Sequence, residues 1–422
     1  MPTSQVQHLF LGLAAILVLA RVLGLLAARL GQPPVIGEIV AGLAMGPTLF
    51  NGQIAATLFP TEIRPLLTAL ANVGLALFMF IVGSELEHAT VVERKLVPIS
   101  VSIGSTALPF LLGSGLGLYL YSSHGAHGSG QKLGFVLFFA ASMSVTAFPV
   151  LARILTDRGM TYTRVGTVAL ASAAISDVLA WTLLAVAVTV SGGGSGQWRT
   201  LLLPVYVVLL FTVVRPLLAR VSLWQSRRGR SMSELLVPVV VGLFLSSWAA
   251  EWMGVHFIFG AFLFGAIMPR GGTGDPAGSR REITGRIEPV ATMVLLPIFF
   301  IVAGFKVDLS DLGAAAWGEL ALIMLVAVVG KTAGAYLGAR VQGVAKRDAG
   351  VLAALMNTRG LTELVILSVG LQLGFLDDEL YSLMVVMAVV TTMMAGPLLA
   401  VLYPRRQVDE DAAEFAASAS PS

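Results

Sequence analysis

The sequence predicts an all-α polytopic membrane protein with thirteen transmembrane helices, and three observations carry that prediction. Of 422 residues, 56% are hydrophobic and only 12% are charged. A soluble domain carries roughly 25% charged residues, so too little polar surface remains to face water, and mean hydropathy is +0.85. The apolar runs are long and continuous, which suits helices; barrel strands would alternate in segments of about ten residues. Basic residues also fall unevenly between alternate loops, as the positive-inside rule expects of a chain that crosses the bilayer repeatedly.

The spans are expected near 9–28, 34–50, 66–84, 96–121, 133–152, 165–190, 200–219, 233–250, 254–269, 286–305, 319–339, 350–373 and 380–402. The second and ninth are short and glycine-rich. Residues 120–132 and 191–197 read as flexible loops, and the polar tail 407–422 as disordered. Loops after odd-numbered spans, counted with the span ends beside them, hold 20 Lys and Arg, those after even-numbered spans hold 4, and Arg21, Lys331 and Arg359 fall deeper inside spans. That split places the N-terminus outside and the C-terminus in the cytoplasm of a cell (inner) membrane. The first apolar run has no basic n-region, so it reads as a retained span.

An internal repeat follows. IGEIVAGLAMGP (36–47) matches FGAFLFGAIMP (259–269), and LFMFIVGSELE (77–87) matches IFFIVAGFKVD (298–308). Both matches are offset by about 220 residues and seven spans. Seven is odd, so the copies run in opposite directions, and inverted repeats are a transporter architecture with its site near the midplane.

Extending the repeat pairs span five with span twelve, and both are interrupted. Pro149 lies within SMSVTAFPVLARIL; it lacks an N–H and clashes with the preceding turn, so carbonyls near Val145 and Thr146 lose their partners. Asn357, Thr358, Arg359 and Gly360 form a polar break in MNTRGLTELVILSVG. Irregular backbone at membrane depth survives only in a protein-lined or wet cavity, and two such breaks at corresponding positions point to a transport site.

Asp177 sits mid-span in AAISDVLAW. A carboxylate at that depth costs several kcal/mol unless it is neutral, paired or wet (~2.5–3.5 kcal/mol on insertion scales). Desolvation favours its protonated form and a bound cation its ionised form. One group that holds H+ or a monovalent cation, Na+ or K+, but not both, couples the two fluxes. Thr146 and Ser176 are candidate oxygen ligands beside it, and Asp177 with Thr146 is the expected Na+/K+ site. Ser172 is a weaker candidate, since a small hydroxyl on such a helix usually packs against a neighbour. Arg359 is permanently charged and reads as a stabiliser of the broken helices, pairing with helix C-terminal carbonyls or an acid. Glu363, one turn on, is its expected partner. Glu38, Lys331 and Asn72 read mainly as structural polar groups within spans, and His256 as interfacial.

Several classes are excluded. Cysteine is absent, so no disulfide, thiolate site or cysteine nucleophile exists. The five histidines show no metal-site spacing. A net charge of +3 argues against nucleic acid. No Ser/His, paired-Asp or His/Glu constellation supports an intramembrane enzyme, no cofactor is expected, and the glycine run 191–196 follows a membrane span, so it is no phosphate loop.

PPVIGEIVAGLAMGPTLF, SMSVTAFPVLARILTDRG, AAISDVLAW, LPIFFIVAGFKVDL and MNTRGLTELVILSVG together resemble the monovalent cation:proton antiporter-2 family, from about residue 10 to 402. The nearest likeness is to the membrane part of plant cation/H+ exchangers and Kef-type bacterial relatives. The resemblance implies the sodium/proton-antiporter fold, with inverted repeats and two crossed broken helices. It implies a core domain of residues 96–190 and 311–403, a dimerisation domain of 1–95 and 231–310, a linker of 191–230, and a cytoplasmic tail from 404. It also implies a homodimer, an elevator-like movement of the core, and Asp177 as the ion-binding aspartate. Thr146 would match the unwound crossing and Arg359 the basic residue of the second broken helix. Relatives often carry Asp, Asn or Gln where Ser176 stands, and a single carboxylate favours electroneutral one-for-one exchange. Kef-type relatives carry a cytoplasmic nucleotide-binding domain; this chain stops soon after Tyr403, so no nucleotide partner is expected. A Na+-coupled organic anion symporter, with Arg359 as anion anchor, and a gated cation channel are the alternatives.

Overall fold

A computed structural model describes residues 3–48, 53–85, 96–125, 131–161, 163–191, 199, 202–227, 233–254, 256–268, 276–310 and 312–411. Of the tail expected to be disordered, 407–422, residues 407–411 instead continue a short helix that begins at 405 and buries Val408, a correction to that expectation. Residues 412–422, the 192–197 glycine run and residues 126–130 lie outside the described residues. Among the described residues every regular element is helical. The first eight are α1 (Thr3–Arg29), α2 (Pro34–Met45), α3 (Gln53–Leu58), α4 (Arg64–Glu85), α5 (Leu96–His124), α6 (Gln131–Ser144), α7 (Phe148–Asp157) and α8 (Arg164–Ser191). Next come α9 (Leu203–Leu209), continued through a π turn into α10 (Arg215–Arg227), then α11 (Ser233–Trp252) and α12 (Phe257–Ala266). A second π turn joins α13 (Pro276–Val290) to α14 (Leu296–Gly304). The chain ends in α15 (Ala314–Val341), α16 (Lys346–Met356), α17 (Leu361–Gln372) and α18 (Asp378–Leu402).

Among the described residues, ten helical stretches are long and apolar enough to cross a membrane, and three more are short and apolar, α2 and α12 among them. Large apolar side chains such as Leu111, Val237, Trp248 and Leu325 stand exposed. A water-soluble chain of this size would bury most of them, whereas lipid solvates them.

The chain divides into two compact units. One comprises Met1–Leu17, Ala56–Glu87 and Gly192–Val302; in it α4 and α11 pack on α12. The other comprises Val18–Ala55, His88–Ser191 and Ala303–Ser422; in it α5 lies along α15, and α6 and α8 pack on α5. The α5–α15 contact is close because it is glycine on glycine. A Cβ at Gly104 would sit 2.2 Å from the Gly334 carbonyl oxygen, and one at Gly334 would sit 2.1 Å from that of Gly104.

The repeated motifs make repeated contacts. A Cβ at Gly37 on α2 would meet the Leu23 carbonyl oxygen at 2.1 Å, and one at Gly260 on α12 would meet that of Ser246 at 2.2 Å. Gly260 and Ser246 each lie 223 positions after Gly37 and Leu23. The same backbone approach is thus built twice, once in each unit.

A second expectation needs correcting. Both ends of the stretch 120–132, expected to be a loop, are helical: α5 runs to His124 and α6 begins at Gln131. His124 ends the helix with both ring nitrogens on carboxylates, Nδ1 2.8 Å from Asp377 and Nε2 2.7 Å from Glu319. This ties α5 to α15 and to the N-cap of α18, where Asp377 also accepts the Leu380 N–H at 2.7 Å. Sequence reading could not see a tie between residues 253 positions apart.

Candidate ion-binding site

Both interruptions expected from the sequence are present. Helix α6 stops at Ser144, residues 145–147 are non-helical, and α7 starts at Phe148 with Pro149 in its first turn. Proline is tolerated there because the first-turn N–H groups have no intrahelical acceptor. Helix α16 stops at Met356, and α17 starts after Gly360, whose φ of 118° and ψ of −115° suit only glycine.

The two interruptions hydrogen-bond to each other. The Ala147 N–H donates to the Thr358 carbonyl at 3.1 Å, and the Thr146 hydroxyl to the Met356 carbonyl at 3.3 Å. Each break thereby satisfies polar groups that the other frees, as buried backbone requires.

The frayed C-terminus of α6 is covered by two buried cations. Arg359 Nη1 donates to the Ser142 carbonyl at 3.3 Å and Nη2 to that of Met143 at 2.7 Å. Arg359 Nη1 also meets both Glu363 oxygens, at 2.9 and 3.0 Å. Lys331, on α15, donates to the Ser144 carbonyl at 2.6 Å and to the Thr146 hydroxyl at 2.5 Å. Positive charge here complements the negative end of the helix dipole. The Arg359 N–H on the far side donates to Thr392 Oγ1 of α18 at 3.2 Å.

Asp177 stands differently. It is fully buried on α8, and neither carboxylate oxygen has a hydrogen-bond partner. The Lys331 ammonium and the Phe148 backbone N–H at the start of α7 lie near it, short of hydrogen-bond geometry. Ser176, also fully buried, approaches the Ser105 hydroxyl of α5 at 3.5 Å. Ser172 instead donates to the Val168 carbonyl at 2.8 Å, and its own carbonyl accepts from Ser102 at 2.7 Å. Asn357 is buried with both carboxamide atoms unpartnered, while Thr358 donates to the Leu355 carbonyl at 2.8 Å. Glu38 is half-buried on α2.

The fold thus brings Thr146, Lys331, Thr358, Arg359 and Glu363 into one hydrogen-bonded junction, with Asn357 within it but unpartnered and Asp177 and Ser176 on the helix packed against α7 and α16. Sequence reading did not foresee Lys331 on Thr146, Ser105 beside Ser176, or Thr392 beneath Arg359. A polar residue inside each apolar run was the available signal.

A family model described as sodium/hydrogen exchanger, transmembrane, matches residues 14–403. The chain belongs to this family. Members of the exchanger family are transporters and not enzymes. Similar proteins include the Na(+)/H(+) antiporter NhaS4 of Synechocystis, 38% identical over 96% of this chain and 99% of that one. Cation/H(+) antiporter 17 of Arabidopsis thaliana is 36% identical over 94% of this chain and 48% of its own length. K(+)/H(+) antiporter 1 of Saccharomyces cerevisiae is 33% identical over 92% and 46%. This chain spans about half the length of the Arabidopsis and yeast relatives. Among solved structures, the sodium proton antiporter MjNhaP1 of Methanocaldococcus jannaschii superposes with a TM-score of 0.62 over 97% of this chain and 99% of that chain, at 16% identity. At that identity the likeness speaks for the exchanger fold alone.

Proposed function

We propose that the chain is a secondary active antiporter that exchanges a monovalent cation, Na+ or K+, for H+ by competition at Asp177. The observation that carries this is a fully buried carboxylate with no hydrogen bond to either oxygen. An ionised carboxylate left so is costly; a proton or a cation relieves the cost. The other three buried charges of the junction are engaged: Glu363 with Arg359, and Arg359 and Lys331 with the α6 carbonyls. Asp177 is the one of the four charged groups whose charge-bearing oxygens make no such bond.

A proton and a monovalent cation neutralise the same single charge, so exchange is one for one and electroneutral. Thr146 and Ser176 supply neutral oxygens, and Arg359, Lys331, Glu363 and Pro149 hold the broken helices in place. The relatives' names, Na(+)/H(+) and K(+)/H(+) antiporters, support the same reading. The organic-anion alternative is disfavoured, because both terminal nitrogens of the Arg359 guanidinium are already held by Glu363 and two carbonyls.

In this reading the chain crosses the cell membrane thirteen times, with its N-terminus outside and C-terminus inside. The two broken helices cross at the midplane, related by an inverted repeat. Residues 96–190 and 311–403 move as the ion-carrying core against 1–95 and 231–310, which form the homodimer contact, with 191–230 as linker. All the site residues fall in one compact unit, which also takes in residues 18–55.

The test uses proteoliposomes carrying an imposed pH gradient and a pH-sensitive dye. Adding Na+ or K+ dissipates the gradient, and Asp177→Asn abolishes the response. Full exchange by Asp177→Asn would overturn the assignment.

A further inference from the structure

Among the neutral polar side chains of residues 357–360, the second interruption, Asn357 is the one whose entire hydrogen-bonding capacity is unused. It is 1% exposed, and neither its carbonyl oxygen nor its amide nitrogen has a partner. Its neighbours are engaged: the Met356 carbonyl accepts from Thr146, the Thr358 carbonyl from Ala147, and the Thr358 hydroxyl donates to Leu355. Those bonds fix the backbone on both sides of Asn357 directly against the first interruption.

A buried carboxamide left unpaired costs about 1–3 kcal/mol for each group. A side chain kept only to pack would be cheaper as leucine, which has nearly the same shape and no polar atoms. Asn357 also occupies the C-cap position of α16, where the helix dipole presents its negative pole and favours a cation. Helix α8, which carries the equally unpartnered Asp177, packs on α16.

We infer that Asn357 is a second cation-contacting residue, whose side-chain oxygen coordinates the transported alkali ion opposite Asp177 and sets which ion is preferred. This rests on the reading of Asp177 as the exchange site. The division of labour follows from chemistry. Asp177 carries the charge that a proton or a cation must match. The Asn357 oxygen is neutral at every working pH and contributes only to the ion, never to the proton. Hard cations are held by such carboxylate, amide-carbonyl and hydroxyl oxygens together.

The two roles separate in kinetics. In the proteoliposome assay, Asn357→Ala is expected to raise the apparent KM for the preferred cation about tenfold, the equivalent of one lost ligand. It should change the ratio of the Na+ and K+ constants and leave unmoved the pH at which KM begins to climb. Asn357→Asp adds a second titrating carboxylate and should move that pH. If Asn357→Ala does not fold, Asn357→Gln, which keeps the amide but displaces its oxygen, should shift the same ratio. Cation-induced thermal stabilisation of the detergent-solubilised chain gives a readout independent of transport: Na+ or K+ should protect the wild type and protect Asn357→Ala at about tenfold higher concentration. Variants that lose maximal rate or thermal stability with both KM values and their ratio unchanged would overturn the inference. Exchange surviving Asp177→Asn would instead overturn the site reading itself, so the two failures are distinguishable.

Discussion

The two helix interruptions solve one problem by different means. Between α6 and α7, the exposed carbonyls of Ser142, Met143 and Ser144 are taken by side chains from far along the chain, Arg359 and Lys331. Between α16 and α17, the backbone provides for itself: Gly360 adopts a conformation closed to other residues, and the Arg359 N–H is received by Thr392. Beyond the two hydrogen bonds the breaks share, the first is held by imported charge, the second by local geometry and one hydroxyl. The importing arrangement makes the first break sensitive to charge in its surroundings, which suits a segment lying beside a carboxylate that gains and loses a cation.

The largest expected effect tests the imported charge. Arg359→Ala removes the donor to two carbonyls and strands the buried Glu363 carboxylate, at about 3–5 kcal/mol. Thermal denaturation in detergent should show it, and Arg359→Met with Glu363→Leu should recover part of the loss, because an uncharged pair leaves no orphan ion. Next, Lys331→Met frees the Ser144 carbonyl and the Thr146 hydroxyl, at roughly 1–3 kcal/mol. If it proved harmless while Arg359→Ala did not, the first break would rest on one cation instead of two.

The second break is expected to respond to backbone chemistry. Gly360→Ala places a Cβ on a residue with φ of 118°, a strain of about 1–3 kcal/mol. The same substitution at Gly350, an ordinary position in α16 with open space around it, should cost nothing comparable and serves as its control. Smallest is Thr392→Val, which leaves the Arg359 N–H without its acceptor for about 1 kcal/mol. A larger loss at Thr392 than at Gly360 would show that the hydroxyl, not the glycine, holds the second break.

What could be read in advance follows from distance along the chain. The helical character, the short second and ninth spans and both interruptions are local, written in hydropathy, proline and a polar tetrapeptide. The Arg359–Glu363 pair was legible from its i, i+4 spacing, and its reach to helix C-terminal carbonyls from the permanence of its charge. Lys331 on Thr146 was not, because these residues are 185 positions apart and meet only through the packing of α15. Thr392, 33 positions from the amide it receives, was hidden among other hydroxyls of an apolar helix. His124 looked like a loop residue until two distant carboxylates turned it into the end of a helix. The empty bonding capacity of Asn357 was invisible for the same reason: satisfaction is a property of neighbours.

The most direct test of a single shared carboxylate is the apparent KM for Na+ or K+ measured across pH on the unmodified chain. Competition at one group predicts a KM that rises about tenfold for each unit of pH below the titration of Asp177, with a common maximal rate at saturating cation. A KM that stays constant while the maximal rate falls with pH would mean that proton and cation bind at different places, and would contradict the account.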